Sequence, residues 1–461
     1  MNHYDIIIIG SGPGGYKTAG YAASKGLSVA IVEEGEAGGT CLNRGCIPTK
    51  SLCHDATQLP RRSFAEAIQR KQAVVNQLRA GVETLMSRPG ITLIRGKATL
   101  AGHHTVSITR AEKSPFECRE RLRVGERSEG IAACRVENHE AESIEADNII
   151  IATGSSPKTL PIEGAHLPHV LTSDQLLQLQ TLPRRMCIIG AGVIGMEFAH
   201  IFNAFGSQVT VVEYLKECLP ASDSDLAKRL RKTLEKRGVA FFMQSAVKRI
   251  TADGVVFERK GKEQTVEIDG RQDIILMATG RKPNTDGLNL DAAGVTHTCA
   301  GISVHPHTMQ TSVESIYAIG DVNGQAMLAH AATFQGRRAV NHILGQSDHI
   351  RLGIMPAAVF TTPELADVGL TEDQCKEKGL PCTCHKALYR SNGKALAMEQ
   401  TDGLLKLVAD GEGRIVGCHA LGAHAADLVQ EIAALMNRDT TLAQLRDIIH
   451  IHPTLSEILI D

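Results

Sequence analysis

The sequence predicts an α/β protein organised around two copies of one strand–turn–helix unit. The isoleucine run Ile6–Ile9 leads straight into Gly10-Ser11-Gly12-Pro13-Gly14-Gly15 and then a helical stretch, and the same arrangement returns about 180 residues later at Met186–Ile189 followed by Gly190-Ala191-Gly192-Val193-Ile194-Gly195. Length agrees with repetition, because 461 residues exceed one core and divide, at roughly 100–200 residues per domain, into three or four.

In the first copy Asp5–Ile9 reads as a buried parallel strand and Tyr16–Lys25 as the helix that follows it. A glycine at Gly10 permits the tight turn, Gly12 lets backbone approach a pyrophosphate, and Gly15, with Gly14 beside it, lets the helix pack closely on the strand. A second strand, Ser28–Val32, ends at Glu33, where a carboxylate can hold an adenosine ribose. Strand, turn, helix and terminal acid together read as a dinucleotide site, which a glycine-rich turn alone would not.

The segment Gly38-Gly39-Thr40-Cys41-Leu42-Asn43-Arg44-Gly45-Cys46-Ile47-Pro48-Thr49-Lys50 comes next. The other ten of the twelve cysteines lie scattered, without the spacing of a secreted disulphide framework. On a regular helix, side chains five residues apart diverge by about 140°, so a Cys41–Cys46 bridge requires the chain to distort at Gly45. Such a bridge is easily reduced, and a nucleotide fold immediately upstream offers it an electron partner.

The second copy has its helix at Met196–Phe205 and its second strand at Gln208–Val212, ending at Glu213. That carboxylate suits a free ribose 2′-hydroxyl and repels a 2′-phosphate, which favours NAD; Lys216 is the only cation among the next three residues. Two further strands, beginning at Ile149 and Ile274, end in the same Ala-Thr-Gly, at Thr153-Gly154 and Thr279-Gly280, and are expected to run beneath each nucleotide fold.

Composition excludes several classes. Lys+Arg 49 against Asp+Glu 51 gives a formal charge of -2, which suits neither nucleic acid nor an anionic membrane as partner. No apolar run approaches the roughly 18 residues of a membrane span, and a strand within a few residues of Met1 leaves no room for a targeting segment, so a cytoplasmic protein is expected. Cys382-Thr383-Cys384-His385 offers three candidate ligands in four residues without an evident fourth and reads as surface strand; no metal is expected.

Six motifs in order now carry a resemblance: the first glycine turn, GGTCLNRGCIPTK, GAGVIGMEFA, ATGRKPN at 278–284, YAIGDV at 317–322 and HIHPTLSE at 450–457. From Tyr4 to Glu457 the chain resembles the class I pyridine nucleotide–disulphide oxidoreductases, and within them the dihydrolipoyl dehydrogenases. The resemblance implies FAD in the first fold and NAD in the second. It makes Cys41 the interchange thiol that meets substrate and Cys46 the thiol against the flavin. Lys50 and Glu197 match an ion pair beside flavin and nicotinamide, Asp321 a ligand to the ribityl chain, and Ala329 the start of a helix whose amides face the pyrimidine. His452 and Glu457 match an acid/base pair that, in relatives, serves the flavin site of the other subunit of a homodimer.

The architecture implied is two Rossmann-type dinucleotide-binding domains of the FAD/NAD-linked reductase fold plus an α+β dimerisation domain, with FAD on 1–157, NAD on 158–284, a central domain on 285–349 and the interface domain on 350–461. The chemistry implied is oxidation of protein-bound dihydrolipoamide to lipoamide, so the partner is a lipoyl-bearing acyltransferase or a glycine-cleavage carrier protein. Glutathione-type reductases want arginines where this chain has Glu213, and mercuric and large thioredoxin reductases want a C-terminal cysteine pair, which no residue after Cys418 supplies. A largely structural role on an acyltransferase core is the reading from another class. The polar stretch 110–145 reads as meander or loop and receives no function.

Overall fold

The computed structural model describes residues 2–58, 62–109 and 142–460. It divides into two compact units, one of residues 1–43, 75–156 and 282–350, the other of 44–74, 157–281 and 351–461.

The first unit is built on a sheet in which Ile91–Arg95, Val29–Glu33, His3–Ile9 and Glu142–Ile151 lie side by side in parallel, followed by Thr105–Thr109 and Lys97–Leu100. Ile6, Ile7 and Ile8 are fully buried, as a central parallel strand covered on both faces requires. The register sets Ile9 opposite both Val32 and Ile151, so the strand that precedes Ala-Thr-Gly does run beside the first strand of the fold. Glu142–Ile151 serves two partners, pairing antiparallel with Thr105–Thr109 through residues 142–145 and parallel with Ile316–Ala318 through 149–151. Residues 142–145 are therefore strand, because Ile144 and Ala146 alternate inward into the core; the rest of the polar stretch, with Cys118 and Cys134, lies outside the described residues.

The helix after the first strand spans Pro13–Ser24, beginning three residues earlier than its sequence pattern suggests, since proline's fixed φ suits the first helical position. It packs on Ala329–Ile343, where a Cβ on Gly336 would stand 1.8 Å from Thr18 Oγ1. Only glycine permits that approach.

In the second unit the parallel order is Ala240–Phe242, Gln208–Val212, Arg185–Ile189, Ile274–Met277, Val170–Leu171, with the helix Val193–Phe205 crossing between the first two strands of the motif. Ser245–Thr251, Gly254–Arg259 and Lys262–Glu267 form an antiparallel meander. Residues beyond 356 build a five-stranded antiparallel sheet in the order Ala357–Val359, Glu364–Gly369, Ile415–Gly422, Leu404–Asp410, Cys382–Leu388, covered by the helix Ala425–Met436. The fold class read from the sequence, two doubly wound folds and an α+β domain, is the one observed. No helix of the described residues is long and apolar enough to cross a membrane.

Candidate active site

Two glycine turns are built on one plan. Gly10 and Gly190 have φ of +102° and +105°, and a Cβ on either would lie 2.5 and 2.4 Å from the carbonyl oxygens of Ala152 and Ala278, each just beyond the end of the neighbouring strand. Gly15 and Gly195 would drive a Cβ to 1.9 and 2.1 Å from the carbonyls of Gly10 and Gly190, so helix and strand touch there. Gly12 and Gly192 differ from these. At φ of -64° and -73° they need no glycine conformation, and an added Cβ meets nothing within 4 Å. Each caps its helix without any side-chain hydrogen bond, leaving the first amides facing bare space, where a pyrophosphate fits. Gly14 lies 3.1 Å from the Ala332 side chain by the same measure and is a packing position.

Each turn is closed by its acid. Glu33 accepts from Ser11 N and Oγ at 2.7 and 2.6 Å and from Gly35 N at 2.7 Å; Glu213 accepts from Ala191 N at 2.5 Å and Leu215 N at 2.7 Å. A carboxylate offers about four acceptor positions, so each retains capacity for a ribose hydroxyl. Gly154 and Gly280, at φ of +72° and +108°, likewise have nothing within 4 Å of a Cβ. Asn284 holds Thr153-Gly154 from three sides: its amide N donates to Gly154 O, its Nδ2 to Thr153 O, and its own carbonyl accepts from Thr153 Oγ1 at 2.7 Å. The residues present thus leave two cradles suited to dinucleotides.

Cys41 lies in the short helix Gly39–Arg44, which is seated on the first turn. Gly38 N donates to Ser11 O, and a Cβ on Gly39 would come 2.6 Å from Gly12 Cα. Asn43 ties this helix back to the carbonyls of Ala37 and Gly39, and Arg79 fixes Asn43 at 2.9 Å and Glu36 at 2.7 Å. The chain leaves helical geometry at Gly45, with φ -145° and ψ -112°, and a new helix, Cys46–Thr57, begins at Cys46. This break at Gly45 is the distortion the five-residue spacing calls for.

Cys46 occupies the first position of a twelve-residue helix with no side-chain cap, at the positive end of the helix dipole, which favours a thiolate. One turn on, Lys50 Nζ lies 2.9 Å from both carboxylate oxygens of Glu197 and over the Phe360 ring at 5.0 Å. Glu197 is 3% exposed and also accepts from Phe360 N at 2.9 Å. Burial opposes the Lys50 charge, but Glu197 and then Cys46 outweigh it, and the ammonium is held above its usual range. Cys53, two turns further along, is the contrast: burial pushes its thiol well up, so it is inert. The helix is anchored by Asp55, which is fully buried and bridged by Arg62 at 2.7 Å and Arg70 at 2.8 Å.

Asp321 sits in the turn Gly320–Asn323, where Ser155 Oγ donates to its Oδ2, and Gln335 holds both Gly320 N and Asn323 Nδ2. Ala329 opens a fifteen-residue helix whose N-cap, Leu328, supplies no side-chain acceptor.

His452 Nδ1 is 2.8 Å from Glu457 Oε1, and Glu457 Oε2 accepts from Thr454 N at 2.8 Å. With the hydrogen on Nδ1, the Nε2 lone pair faces outward on a side chain that is 80% exposed. The Thr454 amide and then His452 hold the Glu457 carboxyl below its usual range. His450, two residues away, is the opposite case: its ring is 5% exposed and both nitrogens are engaged, by Ile448 O and Glu431. Of the two, His452 is the one presented as a base.

The structure therefore joins Cys46 to Lys50 and Glu197, and His452 to Glu457, and sets each acid at its glycine turn. Sequence reasoning missed Asn284, Arg79 with Asn43, and Phe360; Asn284 stands in ATGRKPN and Asn43 in GGTCLNRGCIPTK, so both were legible as parts of those motifs, whereas Arg79 and Phe360 carry no local signal. Cys382–Leu388 is an edge strand, as read.

Residues 4–336 match the family described as pyridine nucleotide-disulphide oxidoreductase, and 355–461 match that family's dimerisation domain. The chain is 36% identical over 479 residues to dihydrolipoyl dehydrogenase 3 of Haloarcula marismortui, covering 99% of this chain and 95% of that protein. It is 36% identical over 474 residues to a dihydrolipoyl dehydrogenase of Bacillus subtilis, covering 98% and 96%. Among solved structures it resembles the HOCl-induced flavoprotein disulfide reductase RclA of Escherichia coli, with a TM-score of 0.84, 31% identity and coverage of 99% of this chain and 98% of that one.

Proposed function

The chain belongs to the pyridine nucleotide-disulphide oxidoreductase family, enzymes that work with FAD and NAD, and from that premise we propose that it oxidises protein-bound dihydrolipoamide to lipoamide, with NAD+ as the final acceptor. The observation that carries this reading is the outward Nε2 of His452, oriented by Glu457, because a dithiol must lose a proton before it can attack a disulphide.

His452 takes the proton from one substrate thiol, and the thiolate attacks Cys41 of a Cys41–Cys46 disulphide. Cys46 leaves as a thiolate, favoured by the uncapped amides of its helix and by the Lys50 charge. The second substrate thiol attacks the substrate sulphur bound to Cys41, closing the lipoamide ring; Cys41 leaves with the proton His452 carried, and His452 takes the second thiol's proton in its place. FAD, when bound, supplies the relay that carries the electron pair of the dithiol to NAD+ as a hydride. Glu197 fixes Lys50, and Glu33 and Glu213 hold the two turns, with Asp321, Thr153, Gly154 and the amides after Ala329 lining the flavin cradle and Gly190, Gly192, Gly195 and Gly280 the nicotinamide one.

On this reading residues 1–157 hold FAD, 158–284 hold NAD, 285–349 form a central domain and 350–461 join two copies, the His452–Glu457 pair of one protomer serving the disulphide of its partner. The thiol donor is a lipoyl-bearing acyltransferase or glycine-cleavage carrier protein in the cytoplasm. The likeness to a flavoprotein disulfide reductase supports a second reading, in which another disulphide is reduced at the expense of nicotinamide.

The test is purification of the yellow holoenzyme and an assay of NAD+ reduction by dihydrolipoamide, with Cys46→Ser as control. A colourless protein, turnover confined to NADPH and another disulphide, or full activity of the variant would each end the proposal.

A further inference from the structure

A second group of thiols lies apart from the machinery described above. The short helix Glu372–Glu377 is followed by a chain reversal in which Leu380 N donates to Cys375 O, and the strand Cys382–Leu388 then runs back alongside. Strand alternation turns Cys382 and Cys384 to one face and leaves Thr383 and His385 more exposed. That face meets the buried Cys375, and the three sulphur-bearing residues line one cavity of about 80 Å³ with Glu372, Lys376 and Leu380. His385 lies on the other face of the strand, and among the described residues no group of three ligands is arranged to hold a metal ion.

Cys375, Cys382 and Cys384 are all free cysteines. Burial pushes the Cys375 thiol up to about 12, and the neighbouring Cys382 thiol adds to that. Both thiols line the same cavity, one buried and one half-exposed, the arrangement in which an attacking thiol has its resolving thiol waiting. The Glu372 carboxylate is taken up by Lys376 at 3.0 Å and Lys386 at 3.4 Å, which leaves the cavity mouth without strong negative charge to repel an anionic oxidant.

We propose that Cys375 and Cys382 are a second redox dithiol, a modification site that low-molecular-weight disulphides convert to an internal Cys375–Cys382 bond. The Cys382 thiolate attacks one sulphur of the incoming disulphide, forms a mixed disulphide and releases one thiolate. Cys375 gives its proton to that leaving thiolate and attacks the Cys382 sulphur, releasing the second thiol. The pair is oxidised by two electrons, and one disulphide is reduced to two thiols. Cys384 stands on the same face but two residues along the strand, opposite Val408, and stays reduced.

The test uses FAD-loaded full-length protein treated with glutathione disulphide, alkylated under denaturing conditions and digested with trypsin. Cys375 falls in the peptide 352–376 and Cys382 in 379–386, so the bond appears as a cross-linked pair of definite mass. We expect that pair in the wild type and in Cys384→Ser, its loss in Cys382→Ser and Cys375→Ala, its removal by dithiothreitol, and dehydrogenase turnover within twofold of wild type throughout. Recovery of Cys375 and Cys382 as alkylated thiols, a glutathionyl adduct on Cys382 with no cross-link, or a cross-link that survives Cys382→Ser would each overturn the proposal. Because the wild type and Cys384→Ser carry the result, a folding defect in Cys375→Ala does not decide it.

Discussion

Gly192 and Gly195 stand three residues apart in one turn, and replacing each by alanine should give opposite results. At Gly195 the new methyl would lie 2.1 Å from Gly190 O, and ordinary contact begins near 3.4 Å, so helix and strand must part by about 1.3 Å. Overpacking of that kind costs about 1–3 kcal/mol or more. The turn cannot yield cheaply, because Gly190 is itself pressed on Ala278 O. At Gly192 the methyl meets no protein atom within 4 Å and φ is -73°, so two small terms nearly cancel. Restricting the unfolded chain adds about 0.4–1 kcal/mol, and losing a glycine N-cap removes a similar amount. The melting temperature of Gly192→Ala should therefore stay within about 4 °C of wild type while that of Gly195→Ala falls.

Activity should separate the two in the other direction. The Gly192 methyl fills the bare space before the helix amides, and losing one charge-assisted hydrogen bond to phosphate is worth about 1.5–3 kcal/mol. The KM for NAD+ should rise about 10- to 150-fold in a protein that is otherwise folded. Calorimetry and steady-state kinetics on the two variants decide the matter. A Gly192→Ala enzyme with wild-type KM, or a Gly195→Ala enzyme with wild-type melting temperature, would refute the account of how the turn divides packing from binding.

Three further outcomes are expected. Replacing His452 by glutamine should lower kcat for dihydrolipoamide by about 10²- to 10⁴-fold at neutral pH, and Glu457→Gln should lower it less, with the yellow colour retained in both; an unchanged rate removes His452 as the base. Lys50→Met leaves the Glu197 carboxylate, 3% exposed, with the Phe360 amide as its remaining assigned donor, and should destabilise by about 3–5 kcal/mol in urea, whereas Lys50→Met with Glu197→Leu recovers most of it; equal loss in single and double variants contradicts the pairing. The buried His419 imidazolium is opposed by burial but favoured by Asp367 at 2.8 Å, so its folded pKa lies above the usual 6.5. Its stabilisation is accordingly complete below that value and fades as pH rises through the raised pKa; urea midpoints across pH 6–9 should fall in the wild type and flatten in His419→Asn.

Much is legible in the amino-acid sequence by itself. A parallel strand buried on both faces must be apolar throughout, and Ile6–Ile9 is; a helix that touches its strand must offer glycine, and Gly15 and Gly195 do. These are local demands, met by residues within a few positions of one another, so they are written in order along the chain. The cysteine spacing belongs with them, since five residues cannot stay in one regular helix and bring two sulphurs together, and the break falls at Gly45.

What only tertiary structure decided is which of several similar side chains does which work. His450 and His452 stand two apart beside carboxylates, yet burial engages both nitrogens of the first and leaves one nitrogen of the second outward. Lys50 is an ordinary helical lysine until Glu197, 147 positions away, is laid against it under Phe360. Cys382 stands in a cluster that reads as surface strand and Cys375 in no motif, and the two come to line one cavity through a chain reversal and the face on which a strand lands. Burial and long-range contact set these choices, and neither is a property of a residue's neighbours in sequence.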